Sequence, residues 1–315
     1  MDIFSKFIKK YLFFIGLFLF IFIISKINFF ELFANFKKID LKFLIFALLM
    51  SFPLFFFKSL CWNYLKKRQG INYSLKNSIL MNGAGLYFGI ITPGRSGEII
   101  RALYLKKDGH SIGKSLVSLF LDRLSDLIFL LIFTVIGLAI YLSVFHEKII
   151  YSLILIIITT ISIFFIIKTP VLKFFGKKLF YLLVPSKLQN SWKINIQEFI
   201  NDLKIYNSKN YLIIFLLTAC SWTAYYIQMF ILTKGLNINV NFLYLAIVVT
   251  ITGLITILPI SISGIGTRDA ALILLFTPLS IPLEKIITFS ALILALSLWM
   301  AVIGFFCWLI KPIKF

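Results

Sequence analysis

Long apolar runs separated by short polar segments dominate the hydrophobic pattern of this chain. The runs are Tyr11–Ile24, Leu41–Phe57, Leu116–Phe145, Ile149–Ile167, Tyr211–Thr233, Asn241–Pro259 and Ile286–Ile310, and each carries few or no charges. Most of them approach or exceed the roughly 20 residues that a helix needs to cross the hydrocarbon core of a bilayer. The pattern therefore predicts an all-α polytopic membrane protein, with residues 1–315 forming a single integral membrane domain.

Two apolar segments differ from the others because glycine and proline interrupt them. The first lies within residues 77–106, between two clusters of basic residues, and the second spans residues 241–281. Basic loops on both sides of a short broken segment indicate a hairpin that enters and leaves by the same membrane face. We therefore predict about eight membrane segments: six clear spans plus two broken or re-entrant hairpins in an approximate inverted-repeat arrangement.

The hairpins divide the chain into two halves, about 1–145 and 211–315. The lysine-rich segment 168–210 between the halves is expected to be a cytoplasmic amphipathic loop, in which "VLKFFGKKLFYLLVPSK" lies on the inner membrane surface as a helix. Lysines near both ends of the chain place the N- and C-termini in the cytoplasm under the positive-inside rule. The expected location is therefore the cytoplasmic (inner or plasma) membrane, with several passes.

Composition and charge agree with a membrane protein and exclude other classes. The chain is 60% hydrophobic and has a net charge of +20, whereas soluble domains are about 45–50% apolar. Lysines in short loops near anionic lipid head groups explain this charge, so we expect no nucleic-acid partner. The three cysteines and two histidines lack metal-ligand spacing, so the sequence predicts no metal site and no cofactor.

The first broken segment contains the stretch "GIITPGRSGEIIRALYL", which puts charged residues between apolar runs. A charge at membrane depth costs at least a few kcal/mol and is normally excluded unless function needs it. We predict that Ser96 caps a helix whose N-terminal N–H groups suit an anion such as phosphate. Glycines would let the backbone approach that ligand closely. The residues predicted to bind an anionic head group here are Thr92, Gly94, Arg95, Ser96 and Gly97.

The second broken segment, "ILPISISGIGTRDAALILLF", repeats the pattern of proline, closely spaced glycines, an acid and an apolar helix. Glu98 of the first segment corresponds to Asp269 of the second, and Thr267 is predicted to cap the second helix. Two interrupted segments in corresponding places of two halves indicate a transporter-type site near the membrane midplane. The predicted head-group residues of this segment are Gly264, Gly266, Thr267 and Arg268.

The distribution of arginine supports this interpretation. Only five of the 32 basic residues are arginine, and four of the five (Arg95, Arg101, Arg123 and Arg268) lie in the polar membrane stretches. A guanidinium can bind phosphate or carboxylate with two parallel hydrogen bonds, which lysine cannot do. The alternative is that these arginines only neutralise neighbouring carboxylates.

A third polar cluster, "LFLDRLSDLIFLL", places two carboxylates one turn apart on one helix. Such a group should face the interior of a helix bundle. We predict an ion-pair or switch network formed by Glu98, Arg101, Asp122, Arg123, Asp126 and Asp269. Asn82 is a further candidate for it, with a helix–helix contact as the alternative. The five tryptophans are interpreted as anchors at the membrane interface.

Taken in order, Asn82, "TPGRSGE", Arg101, "DRLSD" and "SGIGTRDAAL" resemble the lysylphosphatidylglycerol synthase transmembrane-region family. The resemblance covers nearly the whole chain and implies a flippase-like integral membrane protein with about eight spans. In the namesake synthases a soluble aminoacyl-transferase domain follows this region. This chain stops at Phe315, so aminoacylation of lipid is not expected. The family often has Glu where this chain has Asp122 and Asp269, which shortens the reach of both carboxylates.

The predicted function is movement of an anionic lipid, either a phospholipid or a polyprenyl-phosphate-linked glycan, between membrane leaflets. No nucleophile–base pair or nucleotide-binding loop supports catalysis, so a transporter is favoured over an enzyme. One alternative is an integral-membrane enzyme acting on a lipid-linked phosphate or sugar, with Asp122 or Asp126 as its general base. The other is a non-catalytic scaffold for envelope assembly.

Overall fold

The structure is a computed structural model that describes residues 29–141, 197–257, 261 and 263–313, without the side chains of residues 29, 32, 33, 93 and 94. All elements in these ranges are helical. They are α1 (Phe29–Lys37), α2 (Leu41–Arg68), α3 (Leu75–Ile90), a 3-10 helix (Pro93–Ile99), α4 (Ile100–Lys107), α5 (Ile112–Ile140), α6 (Ser208–Gly235), α7 (Phe242–Ile257), α8 (Thr267–Phe276), a 3-10 turn (Thr277–Leu279) and α9 (Leu283–Ile310). Residues 197–203 form a further short helical segment.

Four helices, α2, α5, α6 and α9, are long and apolar enough to cross a membrane, with 28 or 29 residues each. They confirm four of the six predicted spans. The helix α2 differs from its prediction because it ends at Arg68, well beyond the apolar run that ends at Phe57. The predicted spans Tyr11–Ile24 and Ile149–Ile167, and most of the segment 168–210, lie outside the described residues.

Polar residues set where the long helices begin. The Ser111 hydroxyl accepts a hydrogen bond from the N–H of Lys114 (3.3 Å) at the start of α5. The side chain of Asn207 does the same for the N–H of Asn210 (3.0 Å) at the start of α6. These N-caps satisfy backbone donors that have no partner within the helix.

Both broken segments form pairs of short helices. The first, hairpin 1, consists of α3 (16 residues), the 3-10 helix Pro93–Ile99 and α4 (8 residues). The second, hairpin 2, consists of α7 (16 residues) and α8 (10 residues). At 1.5 Å per residue the longer arms extend about 24 Å, which is less than the roughly 30 Å of a hydrocarbon core. In each hairpin the second helix packs against the first, so the chain folds back on itself.

Each hairpin packs against one helix from its own half of the chain and one helix from the other half. In hairpin 1, α3 packs against α9 and α4 packs against α5, whereas in hairpin 2, α7 packs against α5 and α8 packs against α9. The helices α2 and α6 pack against each other. The first arm of each hairpin therefore lies on a helix from the other half.

Small residues bring α3 and α9 into close contact. A Cβ atom added to Gly304 of α9 would lie 2.5 Å from the carbonyl oxygen of Gly83 in α3. A Cβ atom added to Gly83 would lie 2.6 Å from the side chain of Cys307. Helix pairs in membranes commonly pack through such small residues, and here they fix hairpin 1 against α9.

Candidate functional site

Ionic contacts connect hairpin 1 with α5 around the guanidinium of Arg101. Its Nη1 atom donates to Asp122 Oδ2 (3.0 Å) and to Asn82 Oδ1 (2.9 Å), and its Nη2 atom donates to Glu98 Oε2 (2.5 Å). The Arg101 side chain is only 1% exposed. Through these contacts of Arg101, hairpin 1 and α5 share a cluster of ionic side chains.

Two further cations complete this network. Arg123 of α5 donates to Glu98, and its guanidinium lies 3.7 Å from both Asp122 and Asp126. Lys58 of α2 places its Nζ atom 3.3 Å from Asp122 and 2.5 Å from Asp126. We use the name ion network for six residues, Lys58, Glu98, Arg101, Asp122, Arg123 and Asp126.

The network keeps its buried charges in balance. Each of its three carboxylates contacts at least two of its three cations, and Asp122 contacts all three. Buried charges are tolerated when they are paired and hydrogen-bonded, whereas removing one partner leaves the other charge uncompensated. The six residues therefore act as one electrostatic unit.

Glycines of α3 make room for the network. A Cβ atom on Gly85 would lie 2.6 Å from Cγ of Arg101, and one on Gly89 would lie 2.6 Å from Cγ of Glu98. The glycines that the sequence predicts to lie beside a ligand in this segment are Gly94 and Gly97. Gly85 and Gly89 make room for protein side chains, because Arg101 and Glu98 lie directly against the α3 backbone.

The turn after α3 is closed by Thr92 and Gly97. The Thr92 hydroxyl donates to the Phe88 carbonyl (2.8 Å) and accepts the N–H of Gly97 (2.7 Å). A Cβ atom on Gly97 would lie 2.1 Å from the Phe88 oxygen. Both residues thus stabilise the turn that presents the next charged residue, Arg95.

The predicted N-cap role of Ser96 is wrong. Ser96 lies inside the 3-10 helix Pro93–Ile99, and the residue that precedes α4 is Ile99, which makes no capping bond through its side chain. The 3-10 helix leads directly into α4, so the first N–H groups of α4 need no separate cap.

Arg95 has a backbone and a side chain that set it apart from the ion network. Its φ angle is 55°, in the left-handed region that few non-glycine residues adopt. Such a conformation costs about 1–3 kcal/mol and is concentrated at functional sites. The exposed Arg95 side chain makes no salt bridge or hydrogen bond to any residue within the described ranges. This conformation presents an unpaired cation to the space beside the network.

That space is a cavity of about 190 Å³ between hairpin 1 and the helices α2, α5, α6, α7 and α9. We call it the hairpin cavity. Its charged lining residues are Lys58, Arg95, Glu98, Asp122, Arg123 and Asp126. Its apolar lining residues include Phe55, Ile90, Met229, Ile293 and Met300. The cavity therefore joins a charged surface to an apolar one within a helix bundle.

Trp222 and Tyr225 of α6 form an aromatic corner of the cavity. Their ring centroids are 5.6 Å apart with an interplanar angle of 84°. The indole N–H of Trp222 donates to Asp126 Oδ1 (3.0 Å), which fixes the orientation of the ring. Trp222 is therefore not an interfacial anchor, and neither is Trp62, which is fully buried. The position of Trp222 in the middle of a long apolar run is the signal that could have identified it.

Lys58 is the other functional residue that sequence reasoning missed. It directly follows an apolar run and resembles the basic residues that flank membrane spans. Seven uncharged residues separate it from Lys66, however, and the helix continues through all of them to Arg68. That spacing is the signal that Lys58 lies inside the bundle, far from the end of α2.

A second charged cluster lies where hairpin 2 meets α9. Arg268 donates through Nε to Ser290 Oγ (2.9 Å) and through Nη2 to the Ser290 carbonyl (3.1 Å) and Asp269 (3.4 Å). Its Nη1 atom donates to the Ser263 carbonyl (3.2 Å), and Arg268 is 5% exposed. Ser290 also donates to Asp269. All three guanidinium nitrogens therefore have partners within the protein.

The predicted N-cap role of Thr267 is also wrong. Thr267 is the first residue of α8, and the cap position is occupied by Gly266, whose N–H donates to Asp269 Oδ2 (2.8 Å). Gly264 and Gly266 both have φ angles of 80°, which glycine adopts without strain. The glycines thus shape the turn, and the acid at the third helical position satisfies its backbone.

The predicted site residues fall into two groups, those near the hairpin cavity and those elsewhere in the described ranges. Among the predicted head-group residues whose side chains or surroundings are described, Arg95 lines the hairpin cavity, and the ones that do not are Thr92, Ser96, Gly97, Gly264, Gly266, Thr267 and Arg268. The predicted network members come together except Asp269, which belongs to the second cluster. Asn82 joins the network through Arg101. Within the described ranges no three His, Cys, Asp or Glu side chains are arranged to hold a metal ion.

One hydrogen bond links the two hairpins directly. The hydroxyl of Ser263, in the turn before α8, donates to the carbonyl oxygen of Ile90 at the end of α3 (2.9 Å). Ser263 has a φ angle of 51° and its carbonyl accepts from Arg268. The second cluster is thereby connected to the part of hairpin 1 that leads to Arg95.

Comparison with known proteins adds two findings. The family model described as the lysylphosphatidylglycerol synthase TM region matches residues 9–304. A UPF0104 membrane protein of Methanocaldococcus jannaschii is 27% identical over 239 residues, which cover 70% of each chain.

Proposed function

Because the chain belongs to the lysylphosphatidylglycerol synthase transmembrane-region family, a family of integral membrane proteins, we propose that it moves an anionic lipid between membrane leaflets. The lipid would be a phospholipid or a polyprenyl-phosphate-linked glycan in the cytoplasmic membrane, with both termini of the chain in the cytoplasm. The head group would pass through the hairpin cavity while the tails stay in the bilayer.

The observation that carries this proposal is the unpaired guanidinium of Arg95. The ion network beside it contains three acids and three cations, so Arg95, which makes no salt bridge to a described residue, adds one positive charge in excess of the acids. A planar guanidinium suits the oxygen atoms of a phosphate, which it can bind with two parallel hydrogen bonds. An anionic head group is the ligand that would complete the charge balance.

The size of the cavity supports entry of the head group alone. Pockets that enclose whole drug-sized ligands measure about 300–1,000 Å³, whereas the hairpin cavity measures about 190 Å³. The apolar residues beside the charged ones, Phe55 and Ile90 among them, give the first carbons of a lipid tail a favourable surface. The tails would therefore remain outside while the phosphate contacts Arg95.

The contact between the hairpins supports a mechanism with two states. The hydrogen bond from Ser263 to the Ile90 carbonyl joins the hairpins at the end of α3. Transporters with inverted repeats commonly work by moving one repeat against the other around a fixed site. Separation of the hairpins would break this bond and open the cavity toward one side.

The ion pairing favours a transporter over an enzyme. A general base must be able to accept a proton from the substrate, whereas Asp122 and Asp126 each contact two or more cations. An enzyme would release product from a lipid-linked substrate in detergent, and a scaffold would not need Arg95.

The test is a leaflet-accessibility assay in proteoliposomes with fluorescent anionic phospholipids and a quencher that cannot cross the membrane. We expect Arg95→Ala to slow lipid movement about 10- to 100-fold, since a lost charge-assisted hydrogen bond costs about 1.5–3 kcal/mol. Arg68→Ala is the matched control, because Arg68 is exposed at the end of α2 and stacks on Tyr64. Equal rates for wild type and Arg95→Ala would contradict the proposed function.

A further inference from the structure

We propose that the lipid has an uncharged, hydroxyl-bearing head group beyond its phosphate, such as a glycerol or a sugar. This inference rests on the proposed function and deepens it, because it concerns the part of the hairpin cavity that Arg95 does not occupy. Three features of the described cavity carry it: its charge balance, the hydrogen-bonding state of its polar wall, and its aromatic corner.

The charge balance disfavours a head group that contains an ammonium. Glu98 contacts Arg101 and Arg123, and Asp126 contacts Lys58, Arg123 and the indole N–H of Trp222. The three carboxylates of the ion network are therefore already matched by its three cations, and the phosphate of the lipid would offset Arg95. An incoming ammonium would add a positive charge that no further acid of the network offsets, which is costly in a low-dielectric site.

The polar residues of the cavity outside the ion network form a set of acceptors, here called the polar wall, because their own donors are already used. The hydroxyls of Ser221, Thr256 and Ser297 each donate to a backbone carbonyl of their own helix, at 2.8–2.9 Å. A hydroxyl has one hydrogen and two lone pairs, so each keeps acceptor capacity. These three residues line the cavity, and they match a ligand that supplies hydrogen-bond donors.

Gln228 extends this wall of acceptors. Its Nε2 atom donates to the Ala47 carbonyl (2.7 Å) and the Ser51 hydroxyl (2.8 Å), and this assignment is fixed because a carbonyl can only accept. The Oε1 atom has no hydrogen bond to a described residue, and Gln228 lines the cavity. Hydroxyl groups are hydrogen-bond donors without a charge. A polyol head group can therefore donate to these acceptors and leaves the net charge of the cavity unchanged.

The aromatic corner suits the carbon skeleton of such a head group. Trp222 and Tyr225 present two perpendicular ring surfaces, and the bond from Trp222 to Asp126 holds one of them in place. A glycerol or sugar presents C–H groups beside its hydroxyls, so it can pack on the rings while its O–H groups reach the wall. A pocket that is mostly apolar with a few placed polar groups is the usual design of a specific binding site.

The experiment compares probe lipids with identical labelled tails and different head groups in proteoliposomes of the wild-type protein. Phosphatidylglycerol and phosphatidylinositol represent the polyol class, and phosphatidylethanolamine and phosphatidylserine represent the ammonium class. We expect the polyol lipids to move about tenfold faster, as two hydrogen bonds of ordinary strength allow. Arg95-dependent movement of phosphatidylethanolamine at the rate of phosphatidylglycerol would overturn this inference and leave the proposed function standing.

A double variant, Thr256→Val with Ser297→Ala, tests the wall itself. It should slow phosphatidylglycerol more than phosphatidylethanolamine and so bring the ratio of their rates close to one. Thr277→Val is the matched control, because the Thr277 hydroxyl makes the same type of backbone bond on an exposed surface. An unchanged ratio in the double variant would overturn the role of the wall. If no lipid moves in an Arg95-dependent way, the proposed function fails and this inference fails with it.

Discussion

The two hairpins carry similar motifs but use their arginines in different ways. In hairpin 1, Arg101 contacts the carboxylates of Glu98 and Asp122, and the cluster borders a cavity. In hairpin 2, Arg268 contacts one carboxylate, a serine hydroxyl and two backbone carbonyls, and it is 5% exposed without lining that cavity. The first cluster forms a charged surface of the cavity. The second cluster is buried where hairpin 2 meets α9, and every guanidinium nitrogen of Arg268 in it has a partner.

The partner helix accounts for this difference. Hairpin 1 meets Asp122 on α5, whereas hairpin 2 meets Ser290 on α9. A carboxylate attracts further cations, and Lys58 and Arg123 contact it, while a serine needs none. Two motifs of similar sequence can therefore serve unlike roles, because the neighbouring helix decides whether charge accumulates around them.

The largest expected effect comes from breaking the charged cluster at its centre. Arg101→Met keeps most of the side-chain volume but removes a charge that is 1% exposed. Removing one partner of a buried ion pair typically costs about 3–5 kcal/mol, because the remaining charge is left uncompensated. We expect a loss of this size in the free energy of unfolding, measured by denaturant titration in mixed micelles.

The control for Arg101→Met is Arg68→Met, on the exposed end of α2. A surface substitution of this kind normally changes stability by less than about 0.5 kcal/mol. If Arg101→Met is as mild as its control, the ion network does not hold hairpin 1 to α5.

A smaller effect is expected from crowding the network without removing any charge. Gly85→Ala would place a methyl group 2.6 Å from Cγ of Arg101, and such overpacking costs about 1–3 kcal/mol. Gly253→Ala in α7 is the matched substitution in hairpin 2, where the nearest atom belongs to Trp222 at 3.2 Å. Unfolding of both variants in the same micelles should show the greater loss for Gly85→Ala, and the reverse order would contradict the described packing of Arg101.

The smallest loss of stability should come from a substitution in the second charged cluster, where hairpin 2 meets α9. Ser290→Ala removes the hydroxyl that accepts from Arg268 and donates to Asp269. The Ser290 carbonyl and Asp269 still hold the guanidinium, so we expect a loss of about 1–2 kcal/mol. Lipid movement in proteoliposomes should keep most of its rate. A loss of transport equal to that of Arg95→Ala would show that the two hairpins contribute alike.

Much of the fold follows from hydrophobic pattern alone. The runs that contain α5, α6 and α9 are long and continuous, and the glycines and prolines around Gly89 and Gly264 mark where the two broken segments turn. The end of α2 was harder to predict, because a helix that passes from lipid into a protein interior loses its apolar signal. Lys58 and Trp62 therefore resembled the end of a span, although the helix continues past them to Arg68.

The part of the candidate site that could be predicted consists of charged residues within otherwise apolar stretches of the sequence. Arg101, Asp122 and their neighbours are conspicuous in this sequence, and they come together because the hairpin brings its charges onto α5. What the sequence did not reveal is which arginine is left unpaired. That depends on the tertiary placement of Ser290 beside Arg268 and on the left-handed backbone at Arg95, neither of which has a local signal.

The packing of each hairpin on the other half also bears on whether such a chain could be divided into two polypeptides. The first arm of hairpin 1 lies on α9, and the first arm of hairpin 2 lies on α5, so each half completes the other. A gene split between the halves would encode two fragments that must find each other in the membrane, since each alone leaves a glycine-lined or apolar helix face without its neighbour.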